Sequence, residues 1–375
     1  MLKGVHLTLM IGPAVPVPVP QVVLDALTEV QVTTRAEGAS GFQLRFTLSN
    51  TSPLQTLFLL SGGNAIPLMR VLLIAIINGT PQVLIDGVIT HQEIAPGNDA
   101  AHSTLTITGE DLTRVMDYID FSGTPFPAMP AEARVALLIA KYALFGLIPL
   151  VIPSVLLDVP IPTDRIPRQQ GTDLSYIKQL ADEVGYIFYI EPGPAPGSSI
   201  AYWGPKLRLS VPQPALNINM DTQTNVESLS FQFDSTSKAL PVVYIQIPIT
   251  KFPLPIPLPA INPLSPPLGL IPPIPNRVTP ISGTARRTAL QATLIAMAEE
   301  AKSAQAVTGS GTLDVLRYGR ILKARQLVGV RGAGMAFDGL YFVESVTHNI
   351  KRGEYKQSFT LSRNGLVSTV PKVPA

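Results

Sequence analysis

The sequence predicts a mainly β protein of antiparallel strands, with helices confined to a few insertions. Three observations carry this. Apolar and polar residues alternate with period two in several segments. The 375 residues include 37 prolines, which argues against an all-helical chain. Only three stretches carry an apolar stripe at helical spacing.

In the first predicted strand Phe42, Leu44, Phe46 and Leu48 alternate with Gln43, Arg45, Thr47 and Ser49. Farther on Thr104, Thr106 and Thr108 alternate with Leu105 and Ile107. Near the C-terminus Tyr355, Gln357, Phe359 and Leu361 alternate with Lys356, Ser358, Thr360 and Ser362. Such alternation sets one face against a core and leaves the other wet. The first helix is expected over Ala131–Leu147, opened by Pro130, with Val135, Leu138, Ile139 and Tyr142 as its stripe. The second is expected over Asp173–Val184, with Thr172 or Asp173 as N-cap and Gly185 as terminator. The third is expected over Ala285–Gln305, where Leu290, Leu294, Met297, Ala298 and Ala301 recur.

Hydrophobic residues make up 46% and charged residues only 14%. The usual charged share is about 25%, so this surface is short of charge and is expected to be covered by other subunits. The net charge of +2 argues against a strongly basic nucleic-acid binder. The absence of cysteine excludes disulfides, Cys-based zinc sites, iron–sulfur clusters and thiol catalysis. The mean hydropathy is +0.29, yet the longest apolar run, Val71–Ile77, has seven residues, against about 20 for a spanning helix. The N-terminal segment is broken by four prolines and lacks a small-residue cleavage site, so it is not read as a signal peptide.

No catalytic constellation stands out. His6, His91, His102 and His348 form no metal-binding pair and are read as strand-surface or strand-end residues. The Gly332–Phe337 and Gly309–Asp314 clusters fail the dinucleotide fingerprint, and no P-loop or nucleophile elbow is present. Asp182–Glu183 and Glu299–Glu300 are adjacent carboxylates on helices, where solvent exposure is the ordinary state. No catalytic, cofactor or metal residue is assigned.

Two segments are candidate interaction surfaces. Thirteen prolines fall between Pro241 and Pro280, with only Lys251 and Arg277 charged. Extended backbone is expected there rather than helix or central strand. The candidate contacts of this arm are Pro253, Leu254, Pro255, Ile256, Pro257, Leu258, Ile271, Pro272, Pro273 and Ile274. An apolar arm needs a surface to pack on; the alternative is a long loop folded over its own domain. Between Arg317 and Lys356 eight basic residues face three acidic ones. The candidate basic surface comprises Arg317, Arg320, Lys323, Arg325 and Arg331. It reads either as the wet face of several strands or as a positive surface toward an acidic partner or a channel.

Several segments resemble the bacteriophage late control D family, the baseplate hub proteins of contractile tails, related to the hub half of the VgrG spike proteins of type VI secretion. GTDLSYIKQLADEVGYIFYIE at Gly171–Glu191 resembles the family's helix-then-strand element. VLIDGVITHQEI at Val83–Ile94 is similar to the strand–Gly–strand hairpin of its first barrel, and STLTITGEDLTRVMD follows it. FDGLYFVESVTHNI and GEYKQSFTLSRNG resemble the closing strands of the second barrel. The Pro-rich segment is not part of that pattern.

The resemblance implies two tandem antiparallel β-barrels with a helix-containing α/β region between them. The implied division is residues 1–117 for the first barrel and 118–216 for the intermediate region. The second barrel takes 217–249 and 309–365, with the arm and a helix inserted at 250–308 and a tail at 366–375. It further implies a non-enzymatic homotrimer acting as symmetry adaptor between a hexameric inner tube and a trimeric spike. Other baseplate proteins are expected neighbours, with no cofactor, no membrane span and no specific nucleic acid. Because the chain stops soon after the second barrel, the spike is expected to be a separate chain. Assembly is expected in the bacterial cytoplasm, within a phage tail or phage-like injection particle. The rival readings are a tail-associated cell-wall hydrolase and a tail component that binds cargo or nucleic acid.

Overall fold

The computed structural model describes residues 5–370 apart from 49–67, 98–102, 155–160, 164–165, 237, 247–252, 257–265, 282–292, 294 and 298–304. The three strands expected from alternation form as Gly41–Leu48, Ser103–Asp111 and Glu354–Arg363. Phe42, Leu44, Phe46 and Leu48 are buried, as are Leu105, Ile107, Tyr355, Phe359 and Leu361. Burial of each such side chain is worth about 1.5–3 kcal/mol relative to exposure. The apolar run at Val71–Ile77 lies in the strand Met69–Ile77, which is buried on both faces. It pairs with Val5–Pro13 on one side and Thr80–Ala95 on the other.

These strands belong to one 13-stranded sheet. From one end it runs Val226–Phe233, Val307–Asp314, Glu354–Arg363 and Gly339–Lys351. It continues through Leu27–Arg35, Gly41–Leu48, Ser103–Asp111, Thr80–Ala95, Met69–Ile77 and Val5–Pro13 to Val17–Pro18. Gln213–Asn217 pairs in parallel with Leu327–Arg331, which joins the start of Gly339–Lys351. The antiparallel β class is thus as expected. The halves expected as two tandem barrels are hydrogen-bonded into a single sheet, and no ring of strands closes among the described residues. The physical reason is the free edge of Gly339–Lys351, which continues past Leu327–Arg331 and pairs with Leu27–Arg35 from Ser345↔Arg35 to Lys351↔Glu29. One apolar cluster accordingly contains Leu9, Phe46 and Leu73 together with Tyr341, Val346 and Phe359.

A second apolar cluster surrounds Trp203, Ile177, Leu138 and Val115. Its helix Asp173–Val184 has the expected bounds. Thr172 caps it by accepting from Ser175 N at 3.2 Å, and Gly185 stops it at φ 71°. The helix expected over Ala131–Leu147 ends at Ala140. A 3-10 turn at Ala143–Phe145 and left-handed Gly146 then lead into the strand Leu147–Val151. Gly146 has φ 72°, and a Cβ there would stand 2.1 Å from Gly197 O, so this corner excludes other residues. The third expected helix falls mostly outside the described residues; Thr293 and residues 295–297 are helical.

Val83–Ile94 is no hairpin. It lies within the 16-residue strand Thr80–Ala95. Gly87 serves a close approach instead of a turn, because a Cβ there would meet Glu110 O at 2.2 Å.

The α/β region is tied to the sheet through a buried ion pair. Arg70 Nε and Nη2 donate to Asp86 Oδ1 and Oδ2 at 2.7 and 2.6 Å. Ser199 Oγ donates to Asp86 Oδ2 at 2.9 Å, and Arg70 Nη2 also donates to Gly197 O at 2.9 Å.

Candidate interaction sites

The junction of the two sheet halves has a polar and an apolar face. On one face the Thr33 and Thr347 hydroxyls are 3.0 Å apart, and Gln31 Nε2 donates to Asn349 Oδ1 at 3.2 Å. On the other, Val30, Val32 and Val346 are buried. His348 shares that inner face and is 4% exposed, so it is not the strand-surface residue expected from sequence. Its Nδ1 lies 2.8 Å from the Tyr355 hydroxyl. Burial pushes the imidazole pKa down to about 4 and keeps the ring neutral at neutral pH. His6 and His91 are exposed, and His102 lies outside the described residues.

Beside this junction runs a segment pinned by two glutamines. The short helix Val315–Tyr318 is capped by Asp314, which accepts from Leu316 N and Arg317 N at 2.8 and 3.1 Å. After left-handed Gly319 the chain lies along the sheet. Gln357 donates to Leu322 O and accepts from Leu322 N, both at 2.9 Å. Gln213 does the same for Lys323, at 2.9 and 2.8 Å. Arg325 follows with φ 65°, a left-handed conformation that costs a non-glycine residue about 1 kcal/mol or more, and its N donates to Val343 O at 2.9 Å.

Arg325 is not the surface residue expected. Its side chain is 9% exposed. The guanidinium lies 4.0 Å over the Tyr189 ring centroid, and Nη1 is 3.6 Å from Glu191 Oε2. Burial pushes its pKa down, while Glu191, Tyr189 and Asp111 oppose that. Nε and Nη2 make no hydrogen bond among the described residues. A cavity lined by Glu191, Lys323, Arg325 and Gln326 reaches down to His348. A second, lined by Asn78, Thr80, Gln213 and Arg320, shares Gln82, Ile321, Lys323 and Gln326 with it. The two form one groove. Sequence reasoning placed Arg320, Lys323 and Arg325 in one group by proximity along the chain, and the fold brings all three to this groove. Arg317 is exposed outside it and Arg331 is half-buried at the end of Leu327–Arg331. Lys356 bridges Glu227 and Glu354, each at 3.0 Å, and Lys351 meets Glu29 at 3.2 Å.

The Pro-rich arm forms short ladders. Pro253–Ile256 pairs with Val243–Gln246, Arg277–Pro280 pairs with Ala239–Val242, and Gly269–Ile271 pairs with Leu366–Ser368. Proline fits these outer strands because they need few of its missing donors. Asn364 Oδ1 fixes the arm by accepting from Leu268 N and Gly269 N at 2.9 and 3.0 Å. Ile271 and Ile274 are exposed at 55% and 84%, Pro272 is exposed and Pro273 is buried. Leu270 and Val278, which sequence reasoning did not single out, are exposed as well. Pro257 and Leu258 lie outside the described residues.

The buried carboxylates are engaged in holding structure. Asp173 accepts from Gln169, Tyr142 and Lys141 at 2.6, 2.9 and 3.2 Å. Asp111 accepts from Ser40 N, Thr113 N and Thr113 Oγ1; burial raises its pKa against those bonds. Among the described residues no cluster of His, Asp and Glu has the makeup of a metal site. No helix among them is long and apolar enough to cross a membrane.

The fold is that of phage tail proteins. The chain superposes on a tail protein from Neisseria meningitidis MC58 with TM-score 0.63 and 14% identity, covering 97% of this chain and 98% of the other. It superposes on the 43 kDa tail protein of prophage MuSo2 from Shewanella oneidensis with TM-score 0.64 and 12% identity, covering 96% and 98%. A chain of the Francisella PdpA-VgrG complex matches with TM-score 0.59 and 10% identity, over all of this chain and 55% of that one. No family model and no curated protein matches the sequence.

Proposed function

We propose that this chain is a structural baseplate hub of a phage tail or phage-like contractile injection system. In this reading three copies form a symmetry adaptor that joins a hexameric inner tube to a separate trimeric spike, without catalysis. The observation that carries it is the superposition over nearly the whole length of both chains on two tail proteins. The low charge content and the exposed Leu270, Ile271 and Ile274 are what large assembly interfaces require. The two halves of the sheet stand for the two barrel units, residues 1–117 and 217–249 with 309–365, and 118–216 is the region between them. The arm packs on a neighbouring subunit or baseplate protein. Assembly takes place in the bacterial cytoplasm.

The test is the mass of the purified chain in solution, alone and mixed with its candidate spike. A species of three times the 40.2 kDa chain, or one formed only with the spike, supports the adaptor. A monomer that ignores the spike overturns it. Replacing residues 247–266 by a short Gly/Ser turn is expected to weaken this association while the sheet still melts cooperatively. An unfolded variant would show that the arm belongs to the core instead.

A further inference from the structure

The return strand of the Pro-rich arm, Gly269–Ile271, sits in a seat built by the end of the chain. Just before it, Leu268 is buried in a small apolar cluster with Ala36, Leu327, Leu340 and Phe342, and Val370 packs against the same cluster. Thr369 N donates to Leu268 O at 3.1 Å, beside the two bonds that Asn364 Oδ1 accepts from Leu268 N and Gly269 N. The two strands meet through bare backbone. A Cβ on Gly269 would stand 2.4 Å from Gly365 O, and one on Gly365 would stand 2.6 Å from Ile271 O. The seat itself is pinned by Arg363, which is fully buried and donates to Gly365 O, Asp338 O and Ala336 O at 2.8, 2.8 and 2.6 Å.

The strand in this seat is loosely tied to the rest of its own copy. The other arm strands, Pro253–Ile256 and Arg277–Pro280, pair with Ala239–Gln246 in a separate small sheet. Among the described residues that sheet shares no ladder with the large one. Pro272, Pro273 and Pro275 run between the seat and the small sheet as a stiff spacer. With the strand seated, Leu270, Ile271 and Ile274 are still 62%, 55% and 84% exposed. Closure within one copy therefore leaves the apolar surface of the arm in water.

We propose that the arm is exchanged between copies: the Gly269–Ile271 strand of one copy seats beside Leu366–Ser368 of a second. The bonds of the seat are the same in either arrangement, so exchange adds little cost beyond bringing the copies together. Only the exchanged form gives Leu270, Ile271 and Ile274 a neighbouring surface. The inference rests on the self-association in the adaptor reading and names what one copy contributes to the next.

Disulfide trapping in the full-length chain tests this, because the chain has no cysteine of its own. Ile271 and Leu366 are direct partners across the ladder. The double variant I271C/L366C, oxidised and run on a non-reducing gel, is expected to give linked chains up to the trimer. Differently tagged I271C and L366C, co-expressed and oxidised, are expected to give a linked pair carrying both tags, and either variant alone none. An internal disulfide in the double variant, with chains of monomer size only, overturns the proposal. A linked pair formed equally well by either variant alone reports chance encounter and also overturns it. Solution mass separates this from the adaptor reading: a trimer with internal disulfides sinks the exchange and leaves the adaptor standing, whereas a chain that is monomeric with and without its spike sinks both. Asn364→Ala removes the acceptor for Leu268 N and Gly269 N and should weaken self-association about tenfold or more while the large sheet still melts cooperatively. Association unchanged in that variant would count against the seat.

Discussion

The Thr33 and Thr347 hydroxyls lie 3.0 Å apart although 314 residues separate them in sequence. They mark the seam where the first and last parts of the chain become one sheet. Ser345–Lys351 is paired on both edges here, so the backbone N–H donors of this stretch face a neighbouring strand.

Thr347→Pro removes one of those donors in a central strand and is expected to cost about 3 kcal/mol or more. Because both sheet halves share a core, the loss should appear as a lower midpoint of one transition. Urea unfolding followed by far-ultraviolet circular dichroism checks this. A variant in which only part of the signal is lost at low urea would show that the halves unfold separately.

The Arg70–Asp86 pair leads to a second expectation. Asp86→Ala leaves a buried guanidinium without its counter-charge and should destabilise the protein by about 3–5 kcal/mol. Replacing both residues by apolar ones of similar volume should cost less than the single change. Fluorescence of Trp203, in the apolar cluster next to this pair, reports the unfolding. Equal losses in the single and double variants would contradict an uncompensated charge as the cause.

His348 makes stability depend on pH. Its folded pKa of about 4 lies below the unfolded value of 6.5. Its contribution is therefore complete above pH 6.5 and declines as pH falls toward 4, where the unfolded chain binds the proton first. The full effect is on the order of 3 kcal/mol. Asp111 works in the opposite sense, because its raised pKa favours the folded chain in acid. His348→Asn should flatten the slope between pH 6.5 and 4 in urea midpoints measured across that range. An unchanged slope would assign the pH dependence to carboxylates.

Gly87→Ala should be costly out of proportion to one methyl group. The added Cβ would meet Glu110 O at 2.2 Å, and that atom belongs to a paired strand. An expected loss of about 1–3 kcal/mol follows from overpacking. A thermal melt of the variant measures it, and a melting temperature equal to wild type would mean that the strands separate there at little cost.

The parts of the fold set by near neighbours were legible in the sequence. Phe42 to Leu48 and Tyr355 to Leu361 announced their buried faces by alternation, and Thr172 and Gly185 bracketed their helix. The seam was not legible, because the pairing of Val32 with His348 leaves no local trace in either segment. The burial of His348 and Arg325 was hidden for the same reason. Each carries a charged or polar side chain whose environment comes from residues far away along the chain. Gly87 misled because a glycine between two strand-like runs reads equally as a turn or as a close approach. The groove was partly legible: Arg320, Lys323 and Arg325 were grouped by position, but only the fold shows that one is sunk and two are exposed.

The seam also governs the order in which the polypeptide acquires its shape. Leu27–Arg35 emerges early in synthesis, while its partner strand is completed only at Lys351. Contacts between such remote residues slow folding and prolong the time during which a hydrogen-bonding edge stands open. A nascent chain halted before that point would carry Gly41–Leu48 and its neighbours with one flank unzipped, and would be a target for chaperones or for self-association. Only a chain translated through its last long strands presents the finished sheet to whatever it joins.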